Sequence, residues 1–331
     1  MTLPQFSIAV PVRNGAQFLR EALDTALAQT YAPIEVVISD NASTDDTPRI
    51  CSEFVRRFPN IKYSRSNELL PVGTNWNRAC RMASGEWVKL LAHDDLLRPN
   101  CLERIAQELA NLPTEWVDSL ALIGTGEEWL FPNGTLYSAP RISPDSSALR
   151  FDTPTYVRSW ARRGSTVPLP GAVTATIRRS VFNSSGFYSE YYHLDTFFYL
   201  RLCCHHHYFY IPDQLVVNRI HQQSATATLV KGARPVRELR QFIEEFLSCE
   251  GDPLKLGPLS RFRLRLMPCA EAATLIAVKG VLRGRARLAW EAASAVAGWQ
   301  LPFLLPLFFR SWLREGRRLR RSGLPADVFF P

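Results

Sequence analysis

The chain has 331 residues, 46% of them hydrophobic, enough for one large core or two smaller ones. Its seven cysteines are an odd number without Cys-x-x-Cys spacing, which argues against a disulfide framework and for a reducing compartment. The net charge of +8 is lopsided: residues 251–331 carry 14 Lys and Arg against 5 Asp and Glu, and the first 250 carry 25 against 26, so an acidic partner belongs to the C-terminal quarter. No nucleic-acid partner is expected. The start, Met-Thr-Leu-Pro, has no basic n-region and no cleavable apolar segment, so no secretory signal is expected.

Phe6 to Val12 is a short apolar run ended by Arg13-Asn14-Gly15, which predicts a strand and a turn. From Gln17 to Thr30 the apolar residues Phe18, Leu19, Ala22, Leu23, Ala26 and Leu27 recur at helical spacing. Ile34 to Ser39 is a second strand, ending at Asp40-Asn41. Ser43-Thr44-Asp45-Asp46 is rich in capping residues and predicts a helix over Thr47 to Phe58. Ile61 to Ser64 is a third strand, Gly73 to Ser84 a helix, and Trp87 to Ala92 a buried strand that stops on His93-Asp94-Asp95. Pro99 then opens a helix over Asn100 to Leu112. Strand and helix alternate, which predicts a mostly parallel sheet covered on both faces, with ligands at the carboxyl ends of its strands. Arg13, Asn14, Asp40, Asn41, Asp94 and Asp95 all fall there. Neither a dinucleotide glycine fingerprint nor a P-loop follows any of these strands. Two adjacent carboxylates after a buried strand await a cation, such as magnesium or manganese on a diphosphate, or else sit in a solvated turn before a helix.

Ser7-Ile-Ala-Val-Pro-Val-Arg-Asn14, Val36-Val-Ile-Ser-Asp-Asn-Ala-Ser-Thr-Asp-Asp-Thr47, Gly73-Thr-Asn-Trp-Asn-Arg78 and Ala83-Ser-Gly-Glu-Trp-Val-Lys-Leu-Leu-Ala-His-Asp-Asp95, with Pro99 after them, share order and spacing with one family. The chain resembles a family 2 glycosyltransferase of GT-A fold over about its first 110 residues, with scattered matches to about residue 226. The resemblance implies a nucleotide-sugar donor and inversion. Asp40 would read the nucleobase, Pro11, Val12, Asn14, Asn41, Gly73 and Asn77 would line the nucleotide pocket, Asp94 would meet ribose or metal, and Asp95 would hold Mn2+ or Mg2+. Many members carry a further Asp where this chain has Ala92. For the base, uracil is the default and thymine the alternative.

Trp116 to Phe131 is apolar, and Pro132-Asn133-Gly134 after it predicts a hairpin. Residues 138–170 read as loops with a short helix over Tyr156 to Arg162. Arg162 and Arg163 are read either as contacts to a lipid-carrier phosphate or as a solvated face. Gly171 to Arg178 is strand-like. Gly186-Phe187-Tyr188-Ser189-Glu190, then Leu194-Asp195 and a helix over Thr196 to Cys204, resembles the family's approach to its acidic base. Asp195 is therefore the candidate base, and a cap of that helix on the other reading; an acceptor hydroxyl must lose its proton as it attacks. Cys203-Cys204-His205-His206-His207 looks like a metal cluster, but consecutive residues cannot converge on one ion. Tyr208 to Asp213 and Leu215 to Ile220 predict two further strands. His221, placed like the family's Arg-x-His, is either a metal or diphosphate contact or an ordinary polar turn.

From Pro235 the pattern is helical, over Val236 to Leu247, Leu259 to Ala277 and Arg285 to Ala297. Ala292 to Phe309 is 18 residues without a charge, but Pro302 and Pro306 interrupt it. Arg310, Arg314, Arg317, Arg318, Arg320 and Arg321 follow, beside Trp299 and Trp312. Three readings stay open: a helix on an anionic membrane, a plain helical domain, or a span. The expected organisation is a GT-A domain over 1–226, with a nucleotide-sugar half to 110 and an acceptor half from 111, then a basic helical region over 227–331. The expected activity is a metal-dependent inverting hexosyl transfer in cell-surface polysaccharide or glycolipid synthesis, in the cytoplasm or at the inner membrane face. The rival is a degenerate GT-A scaffold at a membrane surface, motivated by Ala92 and Leu194.

Overall fold

Every residue of Phe6–Val12 (β1) is buried, as a strand must be when both faces are covered. In the computed structural model, residues 4–138, 147–158, 169–183, 186–187, 194–221, 234–249, 254–258 and 261 are described. β1 lies between Ile34–Asp40 (β2) and Trp87–Leu90 (β4), parallel to both, and Ile61–Arg65 (β3) lies parallel beyond β2. The register sets Val12 opposite Asp40, and Asp40 opposite Arg65, so the polar strand ends align. On one face Phe6, Ile8, Val10 and Val12 join a core with Leu19–Leu27 (α1), Thr47–Arg57 (α2) and Cys101–Ala110 (α4). The other face meets Val72–Met82 (α3), where Asn75 and Ser39 exchange hydrogen bonds.

The sheet changes direction at β4. Ala175–Arg178 (β9) runs antiparallel to β4 and to Leu120–Leu130 (β6), and β6 pairs in parallel with His207–Arg219 (β10). Leu96–Leu97 (β5) closes that edge against β10. Leu136–Ser138 (β7) forms the expected hairpin with β6, and Leu149–Phe151 (β8) pairs with β10. Ten strands thus form one sheet among the described residues, in the order β3-β2-β1-β4-β9-β6-β10-β5 with β7 and β8 at the side.

Three expectations need adjustment. The strand expected to Ala92 ends its ladder at Leu90, although Leu91 still donates to the Ala9 carbonyl. The two strands expected over Tyr208–Ile220 are one. Its register shifts between Ile211 and Gln214, where Pro212 lacks the amide a ladder needs. β5 and the short helix Thr114–Asp118 (α5) escape the sequence reading because two to five residues carry no periodicity.

The chain divides into two compact units, one of residues 1–156, 168–190 and 194–219, the other of 157–167, 191–193 and 220–331. In the second unit, Arg234–Cys249 (α7) buries Leu239, Phe242, Ile243, Phe246 and Leu247, the stripe that helical spacing predicts. The helices expected over Leu259–Ala277 and Arg285–Ala297, the apolar stretch Ala292–Phe309, the arginine cluster, and Arg162 and Arg163 all lie outside the described residues. No helix among the described residues is long and apolar enough to cross a membrane.

One corner of the sheet carries a charge network. Glu35 on β2 pairs with Lys62 and accepts hydrogen bonds from the Ser7 hydroxyl and from the amide and hydroxyl of Ser84. Burial alone would raise this carboxyl, but these partners outweigh it and bring it down to about 2. Glu35→Gln is expected to cost about 1–3 kcal/mol at neutral pH. The folded value lies below the unfolded one, so that contribution is whole above pH ~4.3 and is lost as pH falls towards 2. Urea midpoints of the two proteins should converge over that window; a gap that ignores pH would mean the loss is packing.

Candidate active site

The loops that follow β1 and β2 are stapled across one another. Asn14 donates its amide to the Ser43 hydroxyl (2.9 Å), and its Oδ1 accepts the Thr44 amide (2.8 Å). The Gly15 amide donates to Thr47 Oγ1, the Ala16 amide to Asp45 Oδ2, and the Asn41 amide to the Val12 carbonyl. Two residues here have left-handed backbone, Asn14 (φ 48°) and Ala42 (φ 51°). Asparagine tolerates that region; alanine does not. Ala42→Gly is expected to raise stability by about 0.5–1 kcal/mol, read as a higher urea midpoint. An unchanged midpoint would mean that the glycine's extra freedom in the unfolded chain cancels the relief.

Asp40, 0% exposed, closes β2. Its Oδ1 accepts the Ser43 amide, its Oδ2 accepts the Tyr63 hydroxyl (2.9 Å), and Arg65 Nε lies 3.6 Å away. Burial first, then Asp40, push the Tyr63 phenol well up. Asn41 pairs its side-chain amide with both backbone groups of Leu70 (2.8 and 2.9 Å), beside Leu69, which is 60% exposed. Pro11 and Val12 form the end of β1, and Gly73 is buried in the first turn of α3. Asn77, also on α3, is buried, and its amide takes up both backbone groups of Phe187.

After β4 the chain turns through Ala92-His93-Asp94-Asp95, with the Asp95 amide bonded to the Ala92 carbonyl. A Cβ on Gly15 would stand 2.5 Å from the His93 ring, so this turn and the β1 loop touch and only glycine fits between them. Asp95 is 6% exposed beside Asp94. Burial, and then Asp94, hold its carboxyl well above the usual range. Arg219 braces the turn: its amide donates to Asp95 Oδ1 (2.8 Å), its Nε to the Asp94 carbonyl, and its Nη2 to Glu21, with the guanidinium over Phe18. Two adjacent carboxylates are hard donors of the kind magnesium or manganese uses when water and phosphate supply its other ligands. Among the described residues no group of three or more His, Cys, Asp and Glu is placed to hold a metal.

Asp195 lies in the first turn of Leu194–His205 (α6), where its Oδ1 accepts the Thr196 amide (2.7 Å). His221 belongs to the second unit and is half-buried there. The Cys203–His207 run diverges as expected: both cysteines are buried, and His207 stacks on Trp116 while its Nδ1 accepts the Thr153 amide. Two residues of this region were not anticipated. Arg219 stands in the noted Arg-x-His spacing, and Lys89 is the one charge within the apolar run of β4. Lys89 is fully buried and donates to the carbonyls of Val173 (2.8 Å) and Ala175. A cavity of about 620 Å³ lined by Pro4, Tyr31, Trp87, Glu103 and Leu109 lies elsewhere, where β1 and β4 begin.

The family model described as glycosyl transferase family 2 matches residues 7–186. An uncharacterized glycosyltransferase of Rickettsia typhi is 37% identical over 100 residues, 30% of this chain and 30% of its own length. Chondroitin synthase of Escherichia coli is 34% identical over 107 residues, 32% of this chain and 15% of its own. The chain thus spans under a third of the length of either relative. Among solved structures, S. aureus TarS in complex with UDP-GlcNAc superimposes with a TM-score of 0.64 at 17% identity, covering 96% of this chain and 92% of that one. The mannosyltransferase PcManGT of Pyrobaculum calidifontis, in complex with GDP-Man and Mn2+, gives 0.57 at 19% identity, with 96% and 81% covered. At these identities the likeness shows the fold, which is GT-A.

Proposed function

The chain belongs to glycosyl transferase family 2, and from that membership we propose that it transfers a sugar from a nucleotide-diphosphate sugar to a hydroxyl acceptor, with inversion. The observation that carries this reading is the buried Asp95 beside Asp94 at the end of β4, in contact through His93 and Gly15 with the stapled β1 and β2 loops. Pro11, Val12, Asn14, Asn41 and Gly73 wall the nucleotide side, and Asp40, with Tyr63 and Arg65, orders the turn under the base. Asp94 and Asp95 would hold a divalent cation, Mg2+ or Mn2+. When bound, that ion neutralises charge on the diphosphate leaving group. Asp195 takes the proton of the acceptor hydroxyl as its oxygen attacks the anomeric carbon. The bond from that carbon to the diphosphate oxygen breaks in the same displacement, so configuration inverts with no covalent enzyme intermediate.

UDP-GlcNAc on TarS, and GDP-Man with Mn2+ on PcManGT, support a nucleotide-sugar donor and leave its base open. The basic, aromatic C-terminal segment supports a seat on an anionic membrane and an acceptor in polysaccharide or glycolipid assembly. The test is a screen of nucleotide sugars for metal-dependent release of nucleoside diphosphate, run beside Asp95→Ala and Asp195→Ala. Turnover of one donor, lost in both variants and giving product of inverted anomeric configuration, is the expected result. Nucleotide binding with no turnover, crude lipid acceptors included, would sink it.

A further inference from the structure

Asn77 sits on α3, on the donor side of the sheet, yet its polar atoms face the other half of the domain. Its Nδ2 donates to the Phe187 carbonyl (2.9 Å), and its Oδ1 accepts the Phe187 amide (2.7 Å), across 110 residues of sequence. The pairing is buried, so neither bond competes with water. It is also tight. A Cβ on Gly186 would lie 2.5 Å from Asn77 Oδ1, so a side chain at the residue before Phe187 would push Asn77 out of its place. The Phe187 ring then packs on Phe198 (4.9 Å) and Tyr199 (6.1 Å), with Phe182 and Trp76 around it. Phe198 and Tyr199 stand three and four residues after Asp195, one turn further along α6. Asn77, Phe187, Phe198 and Tyr199 therefore form one continuous buried chain, and the half-buried Asp195 sits one turn before its last members on the same helix.

We propose that Asn77 is a positioning residue: its double hydrogen bond to Phe187 sets the place of the first turn of α6, and so the reach of Asp195 to the acceptor hydroxyl. This rests on the reading of Asp195 as the base, and it moves Asn77 from the nucleotide pocket to the acceptor side. A displaced base loses turnover and not donor affinity. A shift of about 1 Å is enough for roughly a hundredfold.

The experiment uses the full chain with the donor and acceptor found in the screen. Asn77→Ala is expected to lower transfer kcat by roughly 10- to 100-fold, with the nucleoside diphosphate Kd unchanged within about twofold. The loss should vanish in an Asp195→Ala background, because a base already removed cannot be misplaced. Gly186→Ala should reproduce the loss from the opposite side, and Asn77→Ala/Gly186→Ala should be no worse than Asn77→Ala alone, since the clash has gone. Nucleotide affinity falling in step with kcat, or full additivity with Asp195→Ala, would overturn the proposal. Hydrogen exchange at the Phe187 amide tests the clamp without any activity: it should quicken by about tenfold or more in Asn77→Ala. Unchanged exchange refutes the clamp even in an active enzyme. Quickened exchange in a protein that turns over no donor refutes the transferase reading instead.

Discussion

Asp195→Ala is expected to lower transfer turnover by about 10²- to 10⁴-fold, the usual reach of a positioned general base. The first turn of α6 offers a competing explanation for such a loss, because Asp195 also accepts the Thr196 amide. Asp195→Asn separates the two. Its side-chain oxygen can still accept that amide, so the start of the helix should be kept and the thermal midpoint nearly unmoved. An amide cannot take up the acceptor proton, so turnover should fall almost as far as in the alanine variant. Full activity in Asp195→Asn would reduce Asp195 to a cap.

The second large effect concerns folding. Gly85→Ala is expected to cost about 3–4 kcal/mol, read from urea unfolding. A Cβ at Gly85 would stand 2.7 Å from the Ser7 amide nitrogen and 2.8 Å from both the Phe6 carbonyl carbon and Ser7 Oγ. Two of those three atoms are backbone of β1, the strand buried along its whole length, so no side chain can swing aside. The same residue donates its amide to Ser7 Oγ and accepts from Arg179 Nε, so moving it also disturbs these bonds. A cost below about 1 kcal/mol would mean that β1 is free to shift.

The parallel half of the sheet was legible because each strand is a short apolar run and each is closed by polar residues: Val12 by Arg13-Asn14, β2 by Asp40-Asn41, β4 by His93-Asp94-Asp95. Those same punctuating residues lie at the carboxyl ends of neighbouring strands inside the sheet. What stayed hidden is long-range. Arg219 reaches Asp95 across 124 residues and Glu21 across 198, and no local period encodes either pairing. Asn77 was visible as a polar residue on the site-bearing helix, and its partner was not. Lys89 carried a signal, since a single charge within an apolar run must find acceptors, but only the fold says that these are the Val173 and Ala175 carbonyls. β10 read as two strands because Pro212 interrupts the apolar pattern, while the bulge there lets pairing resume.

The cross-stapling of the β1 and β2 loops has a thermodynamic consequence. Five hydrogen bonds within the protein hold Asn14, Gly15, Ala16, Asn41 and Thr44. A molecule settling on that rim has no loop to order, so the entropy that accompanies coupled folding is absent and its affinity rests on contacts alone. If the proposed nucleotide sits there, the heat-capacity change of its binding should match the apolar area covered, well short of that seen when a segment folds on its ligand.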